Sequence, residues 1–263
     1  VLRFVPARQP ARGQRFDLAG AAALFVGLLA LLMGMTNGQS AGFGAPATLA
    51  SLALAVAALL GFAAIERHVA QPMVDLNMFR NPLFSVNLLT GFLVFAASSS
   101  TVILMPFYLQ DLLGHSPSKA GLMLAVLPVL MGLTAPISGS LSDRFGTRPI
   151  AVVGLALLAC GYLSVRTVGL DTTVPGYLLR FVPVGLGMGV FNSPNNSAIM
   201  GAARRERLGV VSGMLSLTRT LGNTVGISMI GALWASRVFA HAGGSLTGGA
   251  TAAPALAQVA GLR

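Results

Sequence analysis

Apolar residues run through this chain in long blocks separated by short polar stretches. A helix that crosses a bilayer needs about 20 predominantly apolar residues. Seven blocks reach that length: 18–36, 46–65, 84–109, 119–141, 149–168, 173–200 and 208–235. The sixth and seventh carry polar residues within otherwise apolar runs. Strand-like alternation is sustained nowhere, which argues against a β-barrel. The pattern therefore predicts an all-α integral membrane protein of about seven transmembrane helices. Pro106, Pro128, Pro136, Pro183 and Pro194 fall inside the predicted spans. Each would free a carbonyl that a neighbouring helix or water has to satisfy.

Composition agrees. The chain is 54% hydrophobic and only 9% charged, against about 25% charged in soluble domains. Of the 17 basic residues 16 are Arg, spread along the chain at the ends of apolar runs. That distribution argues against nucleic acid as a partner and for a lipid surround. With the N-terminus cytoplasmic, the inner loops hold Arg3, Arg8, Arg12, Arg15, Arg67, Arg80, Arg144, Arg148, Arg204, Arg205 and Arg207. The outer side holds Lys119, Arg166, Arg237 and Arg263. By the positive-inside rule this predicts a multi-pass protein of the inner (plasma) membrane with that orientation. The single cysteine, Cys160, lies in an apolar run and reads as a small core hydrophobe. The chain opens on Val1 without a signal-peptide layout, which suggests a piece of a longer protein.

Segment 66–82, "ERHVAQPMVDLNMFRNP", reads as an interfacial helix or turn on the cytoplasmic side. The tail from Ser236, rich in Ala, Gly and Ser, reads as a loose outer loop.

Enzyme chemistry is not apparent. Paired Cys or His at metal spacing, a phosphate-binding glycine loop and a Gly-x-Ser-x-Gly motif are all missing, so no catalytic or metal site and no cofactor is expected. His68, His115 and His241 stand alone in predicted loops. The intramembrane arginines are the stronger signal, because a guanidinium in a span usually faces a cavity or a partner. Arg180, Val184, Gly187, Phe191 and Asn195 share one helical face, as do Ser212, Ser216, Arg219, Asn223 and Gly226. Each stripe is expected to turn from lipid towards a water-filled path or another helix; the alternative is a structural clasp in which Arg caps carbonyls. Thr218, Thr220 and Thr224 add to the second. "FNSPNNSA" (191–198), with Asn192, Pro194 and Asn195, reads either as a broken helix lining a cavity or as a polar helix end. The seven acidic residues, Asp17, Glu66, Asp75, Asp111, Asp143, Asp171 and Glu206, all lie at span edges or in loops. No carboxylate stands at a span centre, where a proton-coupled transporter usually needs one.

The stretch "GSLSDRFGTRP" (139–149) packs Asp143, Arg144 and Arg148 into a short cytoplasmic connection between two spans. It resembles the Gly-x-Leu-Ser/Ala-Asp-Arg-x-Gly-x-Arg loop motif of the major facilitator superfamily. "RFDLAG" (15–20), "PMVDLNMFRNPLF" (72–84), "MPFYLQDLLGHSPSKAGLMLAVLP" (105–128) and "ERLGVVSGMLSLTRTLGNTVGISMIGAL" (206–233) resemble the 14-helix drug:proton antiporter branch. The resemblance implies a cytoplasmic linker at 1–16, a central extra helix pair at 17–66 and the interfacial segment at 67–83. A C-terminal transporter bundle of five helices would occupy 84–235, lacking its last helix, with an outer loop or tail at 236–263. The N-terminal half, which usually carries the principal proton-binding acid, would be missing.

By position the resemblance assigns a conformational gate to Gly139, Asp143, Arg144, Gly146 and Arg148. Gly139 would allow close helix contact. Asp143 would bond the start of the fifth span, Pro149 would take its first helical position, and Arg144 and Arg148 would hold one rocking state. Arg180, Asn192, Asn195, Arg219 and Asn223 are the candidates for the cavity and proton pathway. The implied function is half of an exporter of small amphipathic or cationic compounds, driven by the proton gradient. An exporter of an endogenous metabolite, antibiotic or amino acid is the alternative, and a non-transporting scaffold or receptor a further one.

Overall fold

The computed structural model describes residues 17–69 and 72–242. Among the described residues all regular structure is helical. Eight α-helices follow in order: α1 (Leu18–Ala41), α2 (Pro46–His68), α3 (Pro82–Phe107), α4 (Pro117–Leu124), α5 (Val126–Phe145), α6 (Thr147–Val165), α7 (Val174–Gly201) and α8 (Leu208–Ala242). Two compact units divide between residues 78 and 79.

The first unit is an α-helical hairpin of α1 on α2. Gly27 faces Leu59 and Gly34 faces Leu52, so small residues let the two helices approach as they do in membranes. Asp17 caps α1 by accepting the Gly20 N–H at 2.9 Å. Such a cap supplies one of the four orphan donors at a helix start. Glu66 is buried at the far end of α2 and accepts the Val74 N–H at 3.2 Å. Asp17 thus serves a helix start, and Glu66 holds the connection that follows α2. Segment 66–82 resolves into the end of α2 and a 3-10 turn, Leu76–Arg80; residues 70 and 71 lie outside the described residues.

The second unit is a bundle. α7 packs along α6 and α5, α3 packs along α8, and α3 meets α7. The α6–α7 contact is close. A Cβ added at Gly154 would lie 2.6 Å from the Phe191 nitrogen, at Gly161 2.8 Å from the Val184 nitrogen, and at Gly187 2.7 Å from the Leu158 nitrogen. Backbone meets backbone there, and only glycine permits it. At the end of the bundle away from the 139–149 motif Tyr108, Tyr177 and Phe181 are fully buried, and Tyr108 donates its hydroxyl to the Gly169 carbonyl at 2.7 Å.

Six helical segments are long and apolar enough to cross a membrane, α4 and α5 counting together as Pro117–Phe145. The seventh expected span forms the longest helix, α8, at 35 residues. Several boundaries differ from expectation. α5 runs through Asp143 and Arg144 to Phe145, so only Gly146 turns, with φ of 90°. α6 starts at Thr147, which makes Pro149 its third residue. α7 continues through Pro194 to Gly201, so "FNSPNNSA" is helix rather than a break. α8 extends to Ala242, so the loose tail expected from Ser236 begins later; residues 243–263 lie outside the described residues. Cys160 is exposed on α6, because Leu158 and Gly161 take the packed face.

Candidate functional site

The 139–149 motif spans the end of α5 and the start of α6. Gly139 faces α7: a Cβ there would lie 3.2 Å from Ser193 Oγ. The preceding residue, Ser138, is buried and donates its hydroxyl to the Val190 carbonyl at 2.7 Å. Val190 stands four residues before Pro194, and proline has no N–H to offer it. Ser138 therefore satisfies the carbonyl that Pro194 frees. Asp143, Arg144, Gly146 and Arg148 are exposed. Arg144 lies over the Phe145 ring at 5.4 Å. Asp143 does not bond the start of α6: Gly146 occupies the N-cap position and no side chain caps the helix. The continued α5 helix accounts for this, since it carries Asp143 one turn back from the first free N–H groups of α6.

The two polar stripes part company. In α7, Val184, Gly187 and Phe191 are buried against α6, so most of that face serves helix packing rather than a water path. Arg180 lies half-buried near the start of α7, where its Nε donates to Thr167 Oγ1 at 2.7 Å and its Nη1 to the Gly176 carbonyl at 2.9 Å. That is the clasp geometry. Asn195, at the other end of the stripe, is buried beside α3. A Cβ on Gly91 would lie 3.2 Å from Asn195 Nδ2 and 4.0 Å from Thr218 Cγ2, so α3, α7 and α8 converge at Gly91. Asn192 donates through Nδ2 to Met131 Sδ at 3.9 Å. The Oδ1 atoms of Asn192 and Asn195 are buried without hydrogen-bond partners among the described residues.

In α8, Gly222 and Gly226 press against Phe92, Phe95, Ala96 and Ser99 of α3. Ser212, Ser216 and Arg219 are exposed and Asn223 is half-buried. The Arg219 guanidinium lies over the Phe95 ring at 5.0 Å. It sits about a third of the way along the helix. The structure thus brings Asn195 and Arg219 to neighbouring turns of α3 and leaves Arg180 near the opposite end of α7 from Asn195.

A cavity of about 380 Å³ lies between α3, α5, α6 and α7. Ser98, Thr101, Pro128, Met131, Tyr162 and Met188 line it with further aliphatic side chains. Ser98 Oγ meets Met188 Sδ at 3.3 Å. The Tyr162 hydroxyl is buried in the wall beside the Ser98 and Thr101 hydroxyls of α3. Pro128 stands in the first turn of α5, where its missing N–H costs nothing. The sequence reading did not single these lining residues out as a site. The run Ser98-Ser99-Ser100-Thr101, four hydroxyls inside an apolar span, was the available signal.

Helices of membrane-crossing length and composition, packed through small residues, define a multi-pass membrane protein. The sequence model of the Major Facilitator Superfamily matches residues 7–227. The chain belongs to that superfamily. It is 34% identical over 235 residues to the uncharacterized transporter YebQ of Escherichia coli, covering 87% of this chain and 50% of YebQ. It is 28% identical over 238 residues to the multidrug transporter protein MdtP of Bacillus subtilis, covering 90% of this chain and 44% of that protein. To the tetracenomycin C resistance and export protein of Streptomyces glaucescens it is 31% identical over 232 residues, covering 88% of this chain and 43% of that protein. The chain therefore spans about half the length of these relatives.

Proposed function

We propose that this chain is the C-terminal half of a secondary exporter of small amphipathic or cationic compounds. The complete protein exchanges them for protons by alternating access in the inner (plasma) membrane, with the start of this chain cytoplasmic. It performs no catalysis and needs no cofactor beyond the proton gradient. The observation that carries the reading is the exposed polar face of α8. Ser212, Ser216 and Arg219 stand open on a helix that continues a membrane bundle. A guanidinium left facing lipid is costly, so that face calls for a water-lined path against a second bundle. The half-length coverage of the relatives supports the missing bundle, and the names of two of them support export. Gly139, Asp143, Arg144, Gly146 and Arg148 act as the cytoplasmic gate, while Asn192, Asn195, Arg219 and Asn223 border the path.

The test is transport by the complete protein in energised inverted vesicles. Ethidium accumulation that stops when the pH gradient is collapsed is the expected result. Accumulation indifferent to the gradient refutes proton coupling. No accumulation of ethidium or any other amphipathic cation or neutral drug refutes the exporter reading.

A further inference from the structure

Arginines gather at one end of the second unit. α5 and α7 run in the same direction, since a Cβ at Gly185 would meet Leu130 and one at Gly139 would meet Ser193. α6 runs the opposite way, with Gly154 against Phe191 and Gly161 against Val184. The α5–α6 turn and the α7–α8 connection therefore lie at the same end. Beyond the Gly139–Ser193 contact α5 continues to Phe145 and α7 to Gly201, about 9 and 12 Å further. α3 and α8 also run together, Gly222 on Phe92 and Gly226 on Ala96, so α3 starts at that end too. The topology thus brings Arg80, Arg144, Arg148, Arg204 and Arg205 to one rim, all of them exposed. With Arg207 that makes six cations against two acids, Asp143 and Glu206. At the other end Lys119, Arg166, Arg180 and Arg237 stand against Asp111 and Asp171, half that excess.

We infer that this rim is a binding surface for anionic phospholipid headgroups. A guanidinium meets a phosphate through two parallel, charge-assisted hydrogen bonds. What adjoins the charges favours lipid over a soluble acidic partner. Phe79 precedes Arg80 and Phe145 follows Arg144, and both rings are exposed. Leu83 and Leu141, one turn further into the helices, are exposed as well. These helices are of membrane-crossing length and composition, so acyl chains cover the leucines and the headgroup phosphates fall at the arginines. Exposed aromatic rings next to arginine at a helix end suit the bilayer interface, where the ring meets the apolar side and the guanidinium the polar one.

The surface does not depend on the exporter reading, because it is read by equilibrium binding without transport. The complete protein in dodecyl maltoside micelles is titrated with dioctanoyl phosphatidylglycerol, dioctanoyl phosphatidylcholine, glycerol 3-phosphate and a poly-glutamate peptide, followed by microscale thermophoresis. Saturable binding of the phosphatidylglycerol is expected, at least about tenfold tighter than that of the other three and weakened by salt. Arg204→Gln/Arg205→Gln and Arg144→Gln/Arg148→Gln should each weaken it about tenfold or more. Arg204→Lys/Arg205→Lys keeps the charge and should retain most of the binding, which separates loss of charge from damage to the fold. Lys119→Gln/Arg166→Gln, at the other end, should leave it unchanged. The proposal is overturned if phosphatidylcholine binds as tightly as phosphatidylglycerol, or if neither glutamine pair at the rim weakens phosphatidylglycerol more than Lys119→Gln/Arg166→Gln does. Glycerol 3-phosphate binding as tightly as the lipid would reassign the rim to a free phosphate, and tighter poly-glutamate binding would reassign it to an acidic protein; either result overturns the lipid assignment. Lipid binding with no export in vesicles would remove the exporter reading and leave this surface; export with no preference for phosphatidylglycerol would do the reverse.

Discussion

Replacing Ser138 by alanine removes the hydroxyl that meets the Val190 carbonyl at 2.7 Å. In an unbroken helix that carbonyl would accept the N–H of residue 194, but residue 194 is proline. The variant therefore leaves a carbonyl unsatisfied inside the bundle. Interhelical hydrogen bonds in membrane proteins are worth about 0.6 kcal/mol on average and about 1.7 at most. An orphaned buried acceptor costs about 1–3 kcal/mol. Because the proline denies Val190 its usual donor, Ser138→Ala should fall near the top of the first range, at about 1.5 kcal/mol. The decisive comparison is the same substitution in a Pro194→Ala background. There the backbone N–H of residue 194 returns, the Ser138 hydroxyl becomes redundant, and its loss should cost about 0.5 kcal/mol or less. The coupling, about 1 kcal/mol, exceeds the 0.3–0.5 expected for independent sites. Equilibrium unfolding of the complete protein in mixed dodecyl maltoside and dodecyl sulfate micelles measures all four corners of the cycle. Ser140→Ala is the control: its hydroxyl bonds only the Ile137 carbonyl on its own helix, and its loss should be near neutral. Equal costs for Ser138→Ala in the two backgrounds would refute the pairing of this serine with the proline break.

Gly154→Leu should force α6 and α7 apart, since its Cβ would lie 2.6 Å from the Phe191 backbone; a loss of about 1–3 kcal/mol, read as a lowered thermal midpoint in detergent, is expected. Gly146→Ala puts a Cβ on a residue at φ of 90° and should cost roughly 1–2 kcal/mol in the same assay. Asp143→Asn should impair export while the protein still inserts and binds substrate, because Asp143 is exposed and bonds no helix end; parental export rates would refute its role in the gate. Arg219→Met should abolish export with little loss of stability, since an exposed cation–π contact is worth only about 0.5–1 kcal/mol. Wild-type transport by that variant would sink the placement of Arg219 on the path.

What the sequence could disclose followed from local rules. Apolar run length located the helices because a bilayer imposes one length on all of them. Asp17 stands at the edge of an apolar run, and the structure has it capping α1. Polar periodicity was less informative, because a helical stripe names a face and not what covers it. Arg180–Asn195 and Ser212–Gly226 look alike in sequence. The first is mostly packed, since Gly154 and Gly161 of α6 make room for Val184 and Phe191. The second is packed only where Gly222 and Gly226 meet α3, and beyond those glycines Arg219 stands exposed. The difference is written in partner helices far away in the chain.

The motif 139–149 shows the same division at higher resolution. Its charges are what draw the eye, yet among the described residues the contacts that tie it to the bundle come from its uncharged end. Gly139 faces Ser193, and its neighbour Ser138 holds Val190. Asp143, Arg144 and Arg148 stand exposed one to three turns away. A charged loop fixed to α7 by a serine and a glycine can change its charge contacts without losing its footing. Since Ser138 docks at the carbonyl freed by Pro194, any change in the bend of α7 there is passed directly to the helix that carries the charges. On the proposed gate role, this hydrogen bond would be the link between the Asn192 and Asn195 region of α7 and the charged end of α5. It predicts that Ser138→Ala slows export more than Ser140→Ala even at temperatures where both proteins are fully folded. Equal export rates for the two variants would show that the bond stabilises the bundle and transmits nothing.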